Sequence, residues 1–245
     1  MRELMAGPTV TAVVFDAVAD WSQPLLTFYD DVSGERTELS AATLGNWAAK
    51  SANFFVDELG LRPGDEVLID LPEHWQTAAI MLGAWWAGTH VLLPSRADSG
   101  QGMLGAAVTS AAEIDKYDDV DELLVASLDP FAMGVRDLPL GVTDFATAVR
   151  VHGDQYTSRP VVSGPVLDEL TTEDVLTAAR SAASSDGIGP GARVLTARPW
   201  RTADQITATV LAPLVSGASL VTVAHPDPDR LEARAQTERA DVVLR

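Results

Sequence analysis

The sequence predicts an α/β fold of two related half-sheets, parallel or mixed, that are flanked by helices. The first observation is residues 60–94, which follow the pattern of a turn, a buried strand, a helix, a glycine and a second buried strand. The second is that residues 187–224 repeat this pattern. Strands joined through a crossover helix run parallel, so each copy contributes parallel strands. We expect one domain over residues 1–245, with halves 1–160 and 161–245.

The two copies share glycines, prolines and strand residues at a nearly constant spacing. Six positions recur 127 residues later (187 − 60), whereas the closing glycines, Gly88 and Gly217, are 129 residues apart (217 − 88). We therefore expect a two-residue insertion in the helix of the second copy. The six pairs are Gly60 with Gly187, Pro63 with Pro190, Gly64 with Gly191, Val67 with Val194, Leu68 with Leu195 and Pro72 with Pro199.

The elements before the first copy follow from apolar spacing and turn residues. Valines three and four residues apart predict a helix, and two short apolar runs around a polar turn predict a hairpin. Ser40 is a good cap for the long amphipathic helix that follows, and Gly60 suits its left-handed end. The predicted elements are a helix over residues 9–19, strands over 25–29 and 36–39, and a helix over 41–59.

The first copy and the residues after it alternate between buried and exposed patterns. The helix of this copy is apolar nearly all round, which predicts burial between layers. The predicted elements are a strand over residues 66–71, a helix over 75–87, a strand over 90–93, a loop over 95–105, a strand over 106–110, an exposed acidic helix over 113–122 and a strand over 123–128.

A connector over residues 129–160 separates the halves, because prolines and glycines interrupt its periodicity. Only residues 143–151 in it have a helical pattern. The second half then predicts a weak strand over 161–163, a helix from Thr171 or Thr172 to about Ser184, the second copy of the repeat, a helix over 228–240 and a strand over 241–244.

Composition excludes several classes of function. The chain carries 35 acidic and 17 basic residues, a net charge of −18, and no cysteine. A negative surface repels nucleic acid, so we expect no nucleic-acid partner, and disulfides and thiolate chemistry are ruled out. Neither a secretory signal nor an apolar stretch of the roughly 20 residues that a membrane span needs is present. We expect a cytoplasmic protein.

Three motifs carry a resemblance to a known superfamily. Residues 39–44, LSAATL, resemble the LTYxEL motif of adenylate-forming enzymes, with Ala41 and Thr43 in place of its tyrosine and glutamate. Residues 86–94, WAGTHVLLP, are similar to LKAGAxxVPL, and the turn 60–65, GLRPGD, precedes the first strand as in those enzymes. The chain most resembles short actinobacterial proteins that are similar to AMP-dependent synthetases. The resemblance implies the N-terminal part of an acyl-CoA synthetase-like fold.

The resemblance also implies a phosphate-binding loop of the type TSGTTGxPKG, which is eroded here. The matching residues 161–170 read VVSGPVLDEL, so that only Ser163 and Gly164 remain as a candidate cofactor-binding remnant. No lysine is present, and Asp168 and Glu169 add negative charge where a polyphosphate would lie. The adenine and ribose motifs and the domain with the catalytic lysine are absent too. We expect no catalytic residue, no metal site and no resident cofactor.

Other candidate sites are better explained by structural roles. Residues 100–105, GQGMLG, match GxGxxG, but the preceding strand ends too early for a dinucleotide fold, which favours a loop. The acidic residues between Glu113 and Glu122 lack the spacing of a calcium loop and favour a solvated face. The four histidines are scattered; His90 is expected to be a hydrogen-bonded core residue. Ser163 lacks a GxSxG elbow.

These observations favour a degenerate adenylate-forming-like protein without adenylation activity, which acts as a binding or interaction module. The alternative is a half-enzyme that forms acyl adenylates or acyl-CoA thioesters together with a partner chain. A third hypothesis is binding of AMP, ATP, coenzyme A or an acyl group without turnover. A protein partner or a homo-oligomer is consistent with the first two hypotheses.

Overall fold

The computed structural model of the chain describes residues 4–5, 7–97, 104–157 and 161–245. The chain forms two compact units. The first comprises Met1–Thr11, Asn46–Pro72 and Gln76–Thr172, and the second comprises Ala12–Gly45, Glu73–Trp75 and Glu173–Arg245. The units are therefore not consecutive halves of the chain, because a segment near the N-terminus folds with the C-terminal residues.

The secondary structure alternates between strands and helices along most of the chain. The strands are β1 (Leu4–Met5), β2 (Pro24–Asp30), β3 (Glu35–Ser40), β4 (Glu66–Asp70), β5 (His90–Leu92), β6 (Ala106–Ser110), β7 (Leu123–Ala126), β8 (Val142–Asp144), β9 (Val161–Val162), β10 (Pro165–Leu167), β11 (Leu170–Thr171), β12 (Arg193–Thr196), β13 (Ser219–Ala224) and β14 (Val242–Leu244). The helices are α1 (Val10–Asp16), α2 (Ala41–Asn53), α3 (Trp75–Ala87), α4 (Pro94–Ala97), α5 (Phe145–Val149), α6 (Thr172–Ser185), α7 (Ala203–Ile206), α8 (Ala212–Val215) and α9 (Pro228–Glu238). One π turn, Phe54–Glu58, continues α2, and another, Thr207–Leu211, joins α7 to α8.

The first unit contains a seven-stranded sheet in the order β11-β10-β5-β4-β6-β7-β8. All neighbouring strands from β10 to β8 run parallel, and only β11 is antiparallel. The central strands are apolar and buried, as at Val67, Leu68 and Ile69, because helices cover a parallel sheet on both faces. The predicted α/β class with a parallel or mixed sheet is confirmed here.

The second unit contains a five-stranded sheet in the order β14-β12-β13-β2-β3. Strands β14, β12, β13 and β2 are parallel, and β3 closes the predicted hairpin with β2. The predicted C-terminal strand is present as the edge strand β14, beside β12. The two sheets confirm the prediction of two related, mixed half-sheets.

The repeat predicted from glycines and prolines is visible in matching backbone hydrogen bonds. The amide of Gly64 donates to the carbonyl of Gly88 at 2.8 Å, and the amide of Gly191 donates to the carbonyl of Gly217 at 2.8 Å. These four glycines have positive φ angles, from +72° at Gly217 to +87° at Gly64. Such angles strain any residue with a Cβ, which explains why glycine occupies the same positions in both copies.

The predicted two-residue insertion is present, but it does not lie in the second helix. Two residues separate Pro72 from the start of α3, whereas three separate Pro199 from the start of α7. One extra residue therefore lies in the turn before the helix. The other follows the helix, because Ser216 lies between the end of α8 and Gly217, whereas Gly88 follows α3 directly.

The repeated unit is longer than the sequence predicts. Hairpin β2–β3 precedes α2 and the first copy, and hairpin β10–β11 precedes α6 and the second copy. Each hairpin pairs with the closing strand of the other copy. Strand β10 pairs with β5 of the first copy, and β2 pairs with β13 of the second copy. Strands of two or three residues show little alternation, and the sequence analysis missed four of them: β1, β8, β10 and β11.

Two further local predictions are corrected. The acidic residues 113–122 form only the 3-10 turn Ile114–Lys116 instead of a helix, since the side chain of Tyr117 turns inward to donate to Asp70 at 2.7 Å. The predicted loop over residues 95–105 includes most of the short helix α4. Residues 98–103, which contain most of the GxGxxG match, lie outside the described residues.

Candidate functional site

The predicted remnant of a phosphate loop lies between two short strands. Ser163 is exposed and Gly164 is half-buried with a φ of +146°, and they connect β9 to β10. The residues that follow form the hairpin β10–β11 instead of a glycine-rich loop before a helix. Ser163 and Gly164, the two residues predicted for this site, therefore lie in a connection between two strands and not before a helix.

Hairpin β10–β11 is fastened to the edge of the first sheet by Asp168. Its amide donates to the carbonyl of Val91 at 2.9 Å, and its carboxylate Oδ1 accepts a hydrogen bond from the amide of Leu93 at 3.0 Å. The carbonyl oxygen of Asp168 lies 2.6 Å from Nε2 of His90. Asp168 has a φ of +47°, which aspartate tolerates better than most residues do. This side chain is buried and serves the sheet edge.

Two core residues of the first copy support the same hairpin. Nε1 of Trp85 donates to the carbonyl of Val166 at 2.9 Å, and Trp85 is only 3% exposed. His90 is 8% exposed and its Nδ1 lies 3.7 Å from the carboxylate of Glu66. The prediction that His90 is a hydrogen-bonded core residue is confirmed. The hairpin is thus held by side chains from α3 and β5.

These residues do not fit the triphosphate of ATP. A triphosphate site needs free backbone amides and at least one cation, but the amide of Asp168 is already paired, and residues 161–171 contain no lysine or arginine. Glu169 is exposed beside the buried carboxylate of Asp168. A polyanion would meet two carboxylates and no compensating charge along this hairpin.

The two lysines of the chain are engaged elsewhere. Nζ of Lys50 donates to the carbonyls of Arg150 at 3.4 Å and His152 at 2.5 Å, just after the C-terminus of α5. Lys116 pairs with the carboxylate of Glu113 and lies 3.8 Å from Asp70. Both lysines therefore have structural partners within the first unit. The structural role of Lys50 was not apparent from the sequence, because its partners lie about 100 residues away.

Each histidine lies beside a different carboxylate. The distances between the nearest ring nitrogen and carboxylate oxygen are 3.4 Å for His74 and Glu35, 2.9 Å for His152 and Glu58, and 2.9 Å for His225 and Asp30. Because the four pairs share no member, they do not form a common catalytic or metal site. Among the residues that the structure describes, no group of three or more potential ligands could hold a metal ion.

A group of polar and charged side chains around the buried Glu238, in the second unit, was missed by sequence analysis. The carboxylate of Glu238, at the end of α9, accepts hydrogen bonds from the hydroxyl of Tyr29, from Nε of Arg36 at 3.1 Å and from Arg193. The side chain of Glu238 is 4% exposed. Arg193 also donates to Thr27 at 3.1 Å. These bonds join α9 to β2, β3 and β12.

The surroundings change the acidity of this group. Burial raises the pKa of Glu238, but the hydrogen bonds from Tyr29, Arg193 and Arg36 outweigh burial and hold its pKa below the ordinary 4.5. Burial and the adjacent Glu238 raise the pKa of Tyr29. Glu238 is therefore charged and Tyr29 neutral at pH 7. Because the carboxylate of Glu238 is paired with Arg36 and Arg193, the group is suited to stabilising the position of α9.

A cleft of about 340 Å³ opens in the second unit at the starts of β2, β12 and β13. In open parallel sheets, ligands bind at the carboxyl ends of strands, and this cleft lies at the opposite ends. Its position does not match a usual cofactor site. Its lining combines apolar and polar residues, namely Val18, Ala19, Asp20, Gln23, Pro24, Leu25, Ala41, Gly191, Arg193, Gly217, Ala218 and Ser219.

The chain is similar to a protein of about its own length and to part of longer proteins of known structure. It is 43% identical over 239 residues to a Mycobacterium tuberculosis protein called a TIGR03089 family protein, covering 96% of this chain and 98% of the relative. The sequence matches no model of a protein family. No described helix is long and apolar enough to cross a membrane.

Solved structures show where the fold recurs. An acyl-CoA synthetase from Brucella canis matches with a TM-score of 0.77 and 19% identity over 97% of this chain and 47% of the enzyme. A benzoate CoA ligase from Burkholderia xenovorans matches with a TM-score of 0.72 and 17% identity over 97% of this chain and 50% of the ligase. The chain spans about half the length of these enzymes, and the match is to their N-terminal part.

Proposed function

Since the chain belongs to the TIGR03089 family and has the fold of the N-terminal domain of adenylate-forming enzymes, we propose that it is a degenerate relative of those enzymes. It lacks adenylation activity and acts as a binding or interaction module. It has no resident nucleotide cofactor. The fold is that of the enzymes, whereas the residues that would handle a triphosphate differ.

The hydrogen bonding of Asp168 is the observation that supports this proposal best. Its amide, carbonyl and carboxylate are all bonded to β5 or to the residue after it, so hairpin β10–β11 is a fixed extension of the sheet. Charge-assisted hydrogen bonds contribute about 1.5 to 3 kcal/mol each. Losing several of them, together with the cation, weakens binding of a triphosphate by many orders of magnitude.

Exchange of labelled pyrophosphate into ATP tests the proposal. The purified chain is incubated with ATP, Mg²⁺ and a panel of aliphatic and aromatic carboxylic acids, and an acyl-CoA synthetase provides the positive control. We expect no exchange above the rate without protein. Exchange that rises above this background when one of the acids is present would reject a degenerate role.

The alternative, a half-enzyme that adenylates with a partner chain, is favoured by one feature. Strand β14 lies at the edge of its sheet, and Val243 is 36% exposed there. An edge strand can pair with a strand from another chain. If this alternative holds, adding a partner chain restores pyrophosphate exchange, and Val243→Lys abolishes it. A chain that stays monomeric with every candidate partner excludes the alternative.

A further inference from the structure

Exposed apolar side chains are concentrated in one segment of the first unit. Of the seven large apolar residues that are exposed in the described part of the chain, four lie between positions 131 and 151. Phe131 is 82% exposed, Met133 56%, Leu140 104% and Val151 83%. Single exposed apolar residues are common in soluble proteins, but a group of them indicates an interaction site.

Helix α5 holds this segment from both of its ends. Asp144, the N-cap, accepts a hydrogen bond from the amide of Val135 at 2.7 Å. Arg150, the C-cap, donates from Nη2 to the carbonyls of Phe131 at 3.3 Å and Ala132 at 2.6 Å. Val151 follows Arg150 directly in the chain. Phe131, Met133 and Val151 are called the apolar surface below.

The backbone around Phe131 is held in an unfavourable conformation. Ala132 is fully buried and has a φ of +50°, in the left-handed region that alanine rarely adopts. The carboxylate of Asp129 accepts hydrogen bonds from the amides of Phe131 at 2.8 Å and Met133 at 3.1 Å. Strained residues persist where neighbours enforce them, and they are frequent at functional sites. Here the strain keeps Ala132 inside and both neighbours outside.

Resting on the proposed role as an interaction module, we infer that the apolar surface docks a basic protein segment with apolar side chains. The net charge of −18 attracts a cationic partner over long range and repels a second copy of this chain. Close to Val151 in the chain, Asp154 is exposed, and Glu58 lies 2.9 Å from the ring of His152, the residue after Val151. Apolar contacts then form at Phe131, Met133 and Val151, while cations face these carboxylates.

Binding of a defined probe tests this inference. The probe is a fluorescent helical peptide of leucine and lysine with one apolar face, and its control has glutamate in place of lysine. Anisotropy measures affinity for the full chain and for Phe131→Ser, Met133→Ser and Val32→Ser. Val32 is a matched control because it is 79% exposed in the turn between β2 and β3, in the other unit.

We expect the lysine peptide to bind at least tenfold more weakly to Phe131→Ser and Met133→Ser, and less than twofold more weakly to Val32→Ser. Amide exchange should slow at residues 131–135 when the peptide is bound. Equal affinity for all variants, or equal binding of the glutamate peptide, overturns the inference. Self-association lost in Phe131→Ser overturns it in favour of a second copy. Pyrophosphate exchange is measured separately, so failure of the proposed function is distinguishable from failure of this surface.

Discussion

Hairpins β2–β3 and β10–β11 occupy the same place in the two sheets, yet they are held differently. Each pairs in parallel with the closing strand of one copy of the repeat. Hairpin β2–β3 has six register pairs, whereas β10–β11 has two. The long hairpin is held by its ladder, and the short one by side-chain bonds from Asp168, His90 and Trp85.

The starts of the repeated strands show the same divergence. In the first copy Glu66 is in register with His90, and the carboxylate of Glu66 lies 3.7 Å from Nδ1 of His90. In the second copy Arg193 is in register with Ser219, and Arg193 reaches Glu238 instead. Glycines and prolines maintain the common backbone, so side chains at equivalent positions were free to acquire different partners. The shared glycines and prolines therefore show that the two copies are related, whereas the side chains that make specific contacts differ between the copies.

The helices of the two copies should differ most in their tolerance of a larger side chain, and Gly83 in α3 should tolerate one least. A Cβ at Gly83 would lie 2.4 Å from Cβ of Ser51 and 2.9 Å from the carbonyl oxygen of Ala48, while residues 203–215 of the second helix contain no glycine. We expect Gly83→Val to lower the free energy of unfolding by about 3 kcal/mol, because α2 and α3 cannot separate without cost. Urea denaturation measures the change.

Gly189→Ala is the control for this experiment. No atom lies within 4 Å of a Cβ at that position, and its φ is not in the left-handed region. The change should stay within about 0.5 kcal/mol. If Gly83→Val is equally mild, the close approach of α2 and α3 is not as the structure shows.

The closing glycines should respond unequally to the same substitution. Gly88 and Gly217 have φ angles of +81° and +72°, so alanine costs about 1 to 2 kcal/mol at either site through backbone strain. A Cβ at Gly217 would also lie 2.9 Å from the carbonyl oxygen of Ala17, against 3.4 Å from Pro63 at Gly88. We expect Gly217→Ala to cost about 1 kcal/mol more. Thermal denaturation of both variants checks this, and equal losses would contradict it.

Removing the Asp168 side chain should affect the short hairpin and leave the long one intact. Asp168→Ala leaves the buried amide of Leu93 without its acceptor and places alanine at a φ of +47°, so we expect a loss of about 2 kcal/mol. Asp168→Asn keeps an acceptor oxygen and tolerates that φ, so its loss should be smaller.

Hydrogen exchange provides the local measurement for the Asp168 variants. The amide of Leu93 should exchange faster in Asp168→Ala, whereas amides of β2 should be unchanged. Faster exchange in both hairpins would show that the two are not independent.

The charged group around Glu238 should make the second unit sensitive to acid. The pKa of folded Glu238 is below 4.5, so its stabilisation is complete above that pH and is lost as the pH falls through the folded pKa. We expect Glu238→Gln to cost about 1.5 kcal/mol at pH 7. Urea denaturation from pH 7 to pH 3 should show this difference shrinking toward acid. A constant difference would mean that the charge of Glu238 is not responsible.

The sequence predicts those parts of the structure that depend on neighbouring residues. Gly60, Gly187 and the spaced prolines are local signals, so the repeat and most long elements were predicted. The role of Asp168 was not: its charge predicts repulsion of phosphate, but its bonds to residues 75 or more positions away cannot be read from spacing. Tyr29 and Glu238 are separated by 209 positions, so their group was missed entirely.

Calorimetric titration of the chain with ATP and Mg²⁺ tests the central claim most directly. Because the amide of Asp168 is paired and residues 161–171 contain no lysine or arginine, we predict no saturable heat up to millimolar ATP, while the fold remains intact by circular dichroism. Saturable binding at micromolar concentration that is weakened in Gly164→Val would contradict the claim, because it would show a working triphosphate site beside Ser163.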